Sequence, residues 1–316
     1  MKRINLKSLF YFFTAYLLIS IIYFNFSSFT NSFDNKIREQ FFHIRGEIPT
    51  TENIVIVDID ENSLKQLGQW PFSRDKMAQV LVNLTNAQVG IIGIDIIFAE
   101  ADRISPHKMA ETLNLKGDFL NNDILLGNVV ANTPSVLGYF FTINEKNKNM
   151  APIIPMNILN EHTKSSLVHA KGVVPNIKSI QDNSYSSGFF NAFSNNTGKL
   201  THMPLIIQYK DKIYPSLSFE MIRIARQAKE VKLEYDHENL WGISLDDFFI
   251  PTNNKGFFNI NFRGAQKSFK YISFVDILNN NFDKEVIQGK FVLIGTSITT
   301  LADLRATVYD LSMPGV

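Results

Sequence analysis

Three short apolar runs stand out along the chain: NIVIVDI (Asn53–Ile59), VGIIGIDIIF (Val89–Phe98) and GKFVLIGTS (Gly289–Ser297). Each is rich in β-branched residues and lacks the in–out alternation of a half-wet strand, so each predicts a strand buried on both faces. Between the first two lies SRDKMAQVLVNLTNAQ (Ser73–Gln88), with Met77, Val80, Leu81 and Leu84 at helical spacing behind a Ser N-cap candidate. Strand, helix, strand in that order predicts a parallel pairing with a right-handed crossover.

Downstream, YPSLSFEMIRIARQAK places Leu217, Met221, Ile224, Ala225 and Ala228 on one helical face, and ISFVDILNN reads as a short helix. Two hairpins are predicted. One spans SGFFNAFSNNTGKLTHMPLIIQY around an Asn-Asn-Thr-Gly turn, and the other spans GISLDDFFIPTNNKGFFNINFRG, turning at Thr252–Gly256. Residues 142–185 read as an irregular excursion at the domain edge. The fold class expected is α/β, with a mixed, largely parallel central sheet flanked by helices, antiparallel hairpin additions, and one membrane helix ahead of it.

That helix comes from a different pattern. SLFYFFTAYLLISIIYFNFSSFTNSF (Ser8–Phe33) carries no charge, and Lys2, Arg3 and Lys7 precede it. Its apolar heart, Leu9–Phe26, approaches the roughly 20 residues a helix needs to span about 30 Å of hydrocarbon. The basic flank places the N-terminus in the cytoplasm. The segment exceeds a signal-peptide core of about 7–15 residues, and no small-residue cleavage site follows it. The domains expected are therefore 1–33, a basic tip and membrane anchor meeting the bilayer through residues 8–33, and 34–316, an extracytoplasmic domain joined by the linker helix DNKIREQFFHIRG.

Composition adds mainly exclusions. A net charge of +1, with no basic stretch interleaved with aromatics, gives no footprint for nucleic acid. The chain has no cysteine, hence neither disulfides nor thiolate sites. The six histidines lack paired spacing, and no metal site or cofactor is expected.

The candidate chemistry sits where the apolar runs end. Asp58 and Asp60 close the first, Asp95 falls in the second, and Thr296 and Ser297 close the third, with Asp303 and Arg305 beyond. In open parallel sheets ligands bind outside the carboxyl ends of strands, so adjacent strands would bring these groups together with Arg74 and, in a rigid QWPFSR plug, Trp70. The same residues also suit helix caps and a structural ion-pair network. IVIVDIDENS looks like the first motif of haloacid-dehalogenase-type phosphatases. On that reading Asp58 is a nucleophile, FVLIGTS stands for the second motif, and Asp246 and Asp247 hold a metal. Asn62 departs from that pattern, and Asp246–Asp247 falls in a predicted hairpin.

In order along residues 40–316, the stretches IVIVDIDENSLKQLGQWPFSRDKMAQVL, VGIIGIDIIFAE, SGFFNAFSNNTGKLTHMPLIIQYKDKIYPSLSFEMIRIA, NINFRG, SFKYISFVDIL and GKFVLIGTSITTLADLRATVYDLSMPGV resemble the CHASE family, second type. These are sensory extracellular domains associated with cyclases and histidine kinases. Residues 100–185 match least, and Asn195–Asn196 replaces a more typical acidic turn. The resemblance implies a sensor at the inner membrane that pairs as a homodimer and binds an unknown small ligand or periplasmic partner. It controls a cytoplasmic cyclase, diguanylate cyclase or protein kinase encoded beyond a fragment ending at MPGV. No residue inherits a catalytic role, and a tethered scaffold is the alternative reading.

Overall fold

The computed structural model describes residues 6–25, 27–144, 153–160, 166–298 and 304–315. Two helices come first, α1 (Leu6–Asn25) and α2 (Ser27–Arg45). Next are β1 (Ile54–Asp58), α3 (Glu61–Leu67), α4 (Arg74–Asn86), β2 (Ile91–Ile94), α5 (Pro106–Thr112), α6 (Asn122–Val130) and β3 (Ser135–Thr142). A middle stretch gives β4 (His169–Ala170), β5 (Gly172–Val174), α7 (Lys178–Gln181), β6 (Ser186–Phe189), β7 (His202–Pro204), β8 (Ile206–Tyr209), β9 (Lys212–Pro215) and α8 (Leu217–Ala225). Last are β10 (Val231–Asp236), β11 (Asn239–Leu245), β12 (Phe248–Pro251), β13 (Phe257–Asn259), β14 (Lys270–Ser273), α9 (Phe274–Leu278) and β15 (Phe291–Gly295).

The main sheet runs in the order β14-β1-β15-β2-β3. The three apolar runs are therefore neighbours, with β15 inserted between β1 and β2, and all of these pairings are parallel. β3 continues the sheet twice, pairing parallel with β6 through Val136–Tyr139 and antiparallel with β5 through Phe140–Thr142. One face packs Val55, Val57, Ile92, Ile94, Val292 and Ile294 against Val80, Leu81 and Leu84 of α4 and Phe274 and Ile277 of α9. The other face receives α8, whose Leu217 and Met221 meet Ile91 and Val136. Gly93 is what lets α8 approach, since a Cβ there would lie 2.4 Å from the Met221 sulfur. Burial on both faces is why these strands read as unbroken apolar runs.

The predicted hairpins need correction. The Asn-Asn-Thr-Gly turn exists, with Gly198 at φ 79, but the strands around it do not pair with each other. β6 joins β3, β7 joins β13, and β8 turns back on β9. In the second region the tight turn is Asp246–Asp247, between β11 and β12, and Thr252–Gly256 leads on to β13. Turn residues mark where the chain reverses, whereas pairing partners are chosen by the core. The 142–185 excursion contributes β4, β5 and α7 at the sheet edge, and its remaining residues lie partly outside the described set.

The membrane span is not borne out either. Among the described residues no helix is long and apolar enough to cross a membrane. α1 forms as expected, but the part with described side chains interrupts its apolar residues with Tyr11, Thr14, Tyr16 and Ser20. The side chains of residues 22–26, on which the expected span also depends, lie outside the described set.

Candidate functional site

β1 and β15 leave the sheet side by side, so Asp58 and Ser297 face each other at its carboxyl edge. The Asp58 carboxylate accepts the Ser297 N–H at 2.8 Å on Oδ1 and the Ser297 hydroxyl at 2.5 Å on Oδ2. Asp58 is 4% exposed, and this burial pushes its carboxyl above the usual range. The two Ser297 bonds oppose that shift, Asp60 adds to it, and Lys267 counters it more weakly. Thr296 donates its hydroxyl to Ile59 O at 2.9 Å, which ties the same two strands one residue further out.

Asp60 has a different task. It is the N-cap of α3 and accepts the Ser63 N–H at 2.8 Å and the hydroxyls of Ser63 at 2.7 Å and Ser273 at 2.8 Å. It thereby joins β1 to α3 and β14. Asp95, half-buried at the end of β2, donates its N–H to Ile294 O at 2.9 Å on the same edge.

A second polar cluster forms where α4 begins. Arg74 is 7% exposed, its Nε lies 3.7 Å from the Asp123 carboxylate, and its guanidinium stacks 4.8 Å from the Phe98 ring centre. Burial holds its pKa below the usual guanidinium value against the pull of Asp123 and Asp102. Ser73 occupies the N-cap position but makes no capping bond, and its hydroxyl instead donates to Asp102 at 2.7 Å. Asp102 also accepts the N–H groups of Arg74 at 2.9 Å and Ile104 at 3.0 Å and the Asn122 amide at 3.3 Å. Burial alone would raise the Asp102 carboxyl, but these donors hold it below the ordinary range. Two buried atoms remain unmet, Arg74 Nε and Asn122 Oδ1.

Asp102, Asn122 and Asp123 escaped the reading of the sequence. For Asn122 and Asp123 the local signal is the NND run that opens α6, where Asn121 caps the helix through the N–H groups of Asp123 and Ile124; Asp102 lies outside it. Trp70 is part of the apolar core instead, packing edge-on against Phe72 at 5.2 Å after a cis Trp70–Pro71 bond.

Two candidate residues lie in or near the last segment of the chain. Asp303 lies outside the described residues. The backbone of Arg305 pairs with Met313 in both directions, at 2.8 and 3.0 Å, and the next residue, Ala306, bridges to Lys199. The segment 304–315 meets α2 there. Tyr309 Oη shares its proton between Gly46 O at 2.7 Å and Phe42 O at 3.1 Å, and Lys199 pairs with Glu39.

The phosphatase pattern is not assembled. Asp246 and Asp247 lie at the β11–β12 turn of the separate three-stranded β10-β11-β12 sheet, where Asp246 accepts the N–H groups of Lys229 and Glu230. Among the described residues no three His, Asp or Glu side chains gather as a metal centre would.

No curated protein and no solved structure matches this chain. A family description does, the CHASE2 domain, over residues 14–316. With nearly the whole sequence covered, the chain belongs to the CHASE2 domain family, sensory extracellular domains found in signalling proteins.

Proposed function

We propose that this chain is the extracytoplasmic sensing part of a membrane receptor that drives a cytoplasmic output such as a nucleotide cyclase, a diguanylate cyclase or a protein kinase. The observation that carries the reading, beside the family match, is the joint between α2 and the segment 304–315. α2 follows α1 along the chain, and Tyr309 and Lys199 fasten α2 to the domain, so a movement of the segments that carry them is passed to α2 and on along the chain toward α1.

α1 is read as the bilayer anchor. Phe10, Phe12, Phe13, Leu17, Leu18 and Ile19 are all at least 60% exposed and distributed around the helix, a surface that an apolar medium would cover. Thr14 donates its hydroxyl to carbonyls within its own helix, as a polar group in hydrocarbon must. The ligand is read at the carboxyl edge around Asp58, Asp60, Asp95 and Ser297. Two copies pair through the exposed α2 stripe Phe33, Ile37, Phe41 and Ile44, spaced four, four and three residues apart. Lys36 flanks that stripe on one side and Asp34 on the other, so a parallel pair sets opposite charges together.

Because the chain lacks cysteine, a Tyr185→Cys variant carries one thiol at a position 73% exposed. An impermeant maleimide is expected to label it in intact cells, and carbonate washing should leave the protein in the membrane unless residues 6–25 are deleted. Labelling only after lysis would refute the topology. Release by carbonate with α1 intact would refute the anchor.

A further inference from the structure

The sheet β10-β11-β12 has one face packed in the core through Leu233, Ile243 and Ile250, which are cross-strand partners. Its other face is polar except at one spot. Trp241 and Phe249, 51% and 37% exposed, lie with ring centres 4.6 Å apart and planes 40° from each other. Gly242 makes this arrangement possible, because a Cβ there would stand 2.1 Å from the Phe249 ring. The register change between Glu234 and Tyr235 leaves Trp241 opposite no partner on β10, which frees its side chain to turn toward Phe249.

Beside the rings stands a hydrogen-bonding border. Glu234 is the cross-strand partner of Gly242, and Ser244 that of both Phe249 and Lys232. Ser244 donates to Glu234 at 2.8 Å, and Lys232 lies 3.6 Å from the same carboxylate oxygen. Neighbouring Phe248 is not part of the platform, since the Arg226 guanidinium already covers its ring at 4.6 Å.

We propose that Trp241 and Phe249 form a binding platform for a neutral sugar ring of an external glycan. The electron-rich faces of the aromatic rings suit the weakly positive C–H face of a pyranose, and the Glu234, Ser244 and Lys232 border offers acceptors and donors to its hydroxyls. Size argues for a small ligand, because two partly exposed rings present at most about 200 Å². A stable protein interface takes roughly 800 Å² from each partner. Charge argues for a neutral one, since Lys232 already balances Glu234, where an aromatic cage for a cation would leave its carboxylate open. The proposal does not rest on the reading of the Asp58 edge.

The test is saturation-transfer NMR on the full chain in nanodiscs, free of sugar-headed detergent, with cellotriose, maltotriose and chitotriose as probes. At least one trisaccharide is expected to bind with a dissociation constant of about 1 mM and to transfer saturation through its ring C–H protons. Phe249→Leu and Trp241→Leu keep the spot apolar and should weaken binding by about fivefold or more with the circular dichroism unchanged. If either variant fails to fold, protection of Trp241 from N-bromosuccinimide by the sugar gives the same answer on the unaltered chain. No transfer from any of the three sugars overturns the proposal. So does competition by tetramethylammonium, which would mark a cation cage, or self-association through these rings, which would mark a second copy as the occupant.

Discussion

Removing the Asp102 carboxylate should unfasten the start of α4. Asp102→Ala takes the acceptor from four donors at once: the N–H groups of Arg74 and Ile104, the Ser73 hydroxyl and the Asn122 amide. Arg74 is 7% exposed, so its orphaned N–H cannot simply turn to water, whereas the Asn122 amide keeps its 2.7 Å bond to the Ser73 hydroxyl. At about 1–3 kcal/mol for a buried donor left unmet, with smaller losses at Ile104, Ser73 and Asn122, the change should cost roughly 2–4 kcal/mol. Asp102→Asn keeps the shape. Its oxygen can serve the side with three donors only by pointing its amide at the Ile104 N–H, a loss of about 1–2 kcal/mol. Urea unfolding of the intact chain, followed by tryptophan fluorescence, should therefore rank wild type above Asn and Asn above Ala. The pH dependence has a definite sign. The folded carboxyl is depressed, so its contribution is present above the unfolded value and is lost as pH falls through the folded one. The gap between wild type and Asp102→Asn should hold at neutral pH and close below about pH 4. An Asp102→Ala variant within about 1 kcal/mol of wild type would refute the reasoning, because it would mean the cluster is already hydrated.

The remaining predictions concern the edge, the joint and the packing. Asp58→Asn can keep both bonds to Ser297, because the hydroxyl can accept from the new amide, and it removes a buried charge; its midpoint should stay within about 1 kcal/mol of wild type. Since the Asp58 carboxyl is raised, wild type should lose ground to Asp58→Asn as pH climbs from the unfolded carboxyl value through the folded one, and urea midpoints read against pH will show whether it does. Tyr309→Phe deletes the bonds to Phe42 O and Gly46 O, so amide exchange in the last turn of α2 should speed up by about tenfold while the α4 core is unaffected. Gly188→Ala would drive a Cβ to 2.6 Å from the Leu217 backbone and should cost more than about 2 kcal/mol; Gly93→Ala, which meets the flexible Met221 side chain, should cost less, and the reverse order in thermal melts would count against rigid docking of α8.

The sheet was legible because a strand covered on both faces has to be apolar at every position. IVIV, IIGI and FVLIG satisfy that, and their adjacency follows from needing each other's hydrogen bonds. The polar ends of these strands were legible too, since Asp58, Asp60 and Ser297 stand where apolar runs stop. What they bind was not legible, because Ser297 lies 239 positions from Asp58 and nothing local couples the two. Asp102 and Asn122 show the same limit: their partners sit 28 and 49 positions away, at Arg74 and Ser73, and each residue reads locally as an ordinary loop or cap. The hairpins failed for the complementary reason. Lys199 and Gly198 announce a reversal, but the burial of β6 beside β3 decides who pairs, and that is a property of the whole core.

The Asp58–Ser297 clasp and the chain leading from α2 sit at opposite ends of β1, and this bears on how a signal could travel. β1 begins after α2 and ends at Asp58, while β15 lies beside it throughout and ends at Gly295, two residues before Ser297. A ligand that competes for the Asp58 carboxylate or the Ser297 hydroxyl loosens two neighbouring strands at their carboxyl ends. At the other end the chain from Gly46 to Asn53 is held to the domain by Ile48 N–H to Arg263 O at 2.8 Å, Thr50 to Ser268 O at 3.0 Å and Tyr309 to Gly46 O. Such a ligand shifts the joint only by as much as it prefers the open clasp to the closed one. With two hydrogen bonds at stake, both to a buried carboxylate, that preference is on the order of 1–3 kcal/mol, enough for a population change of about tenfold. Asp58→Ala, which opens the clasp without ligand, should then mimic the bound state at α2, whereas Asp60→Ala, which breaks a helix cap, should lower stability without changing exchange at α2. Equal exchange at α2 in wild type and Asp58→Ala would mean that the clasp closes the sheet and transmits nothing.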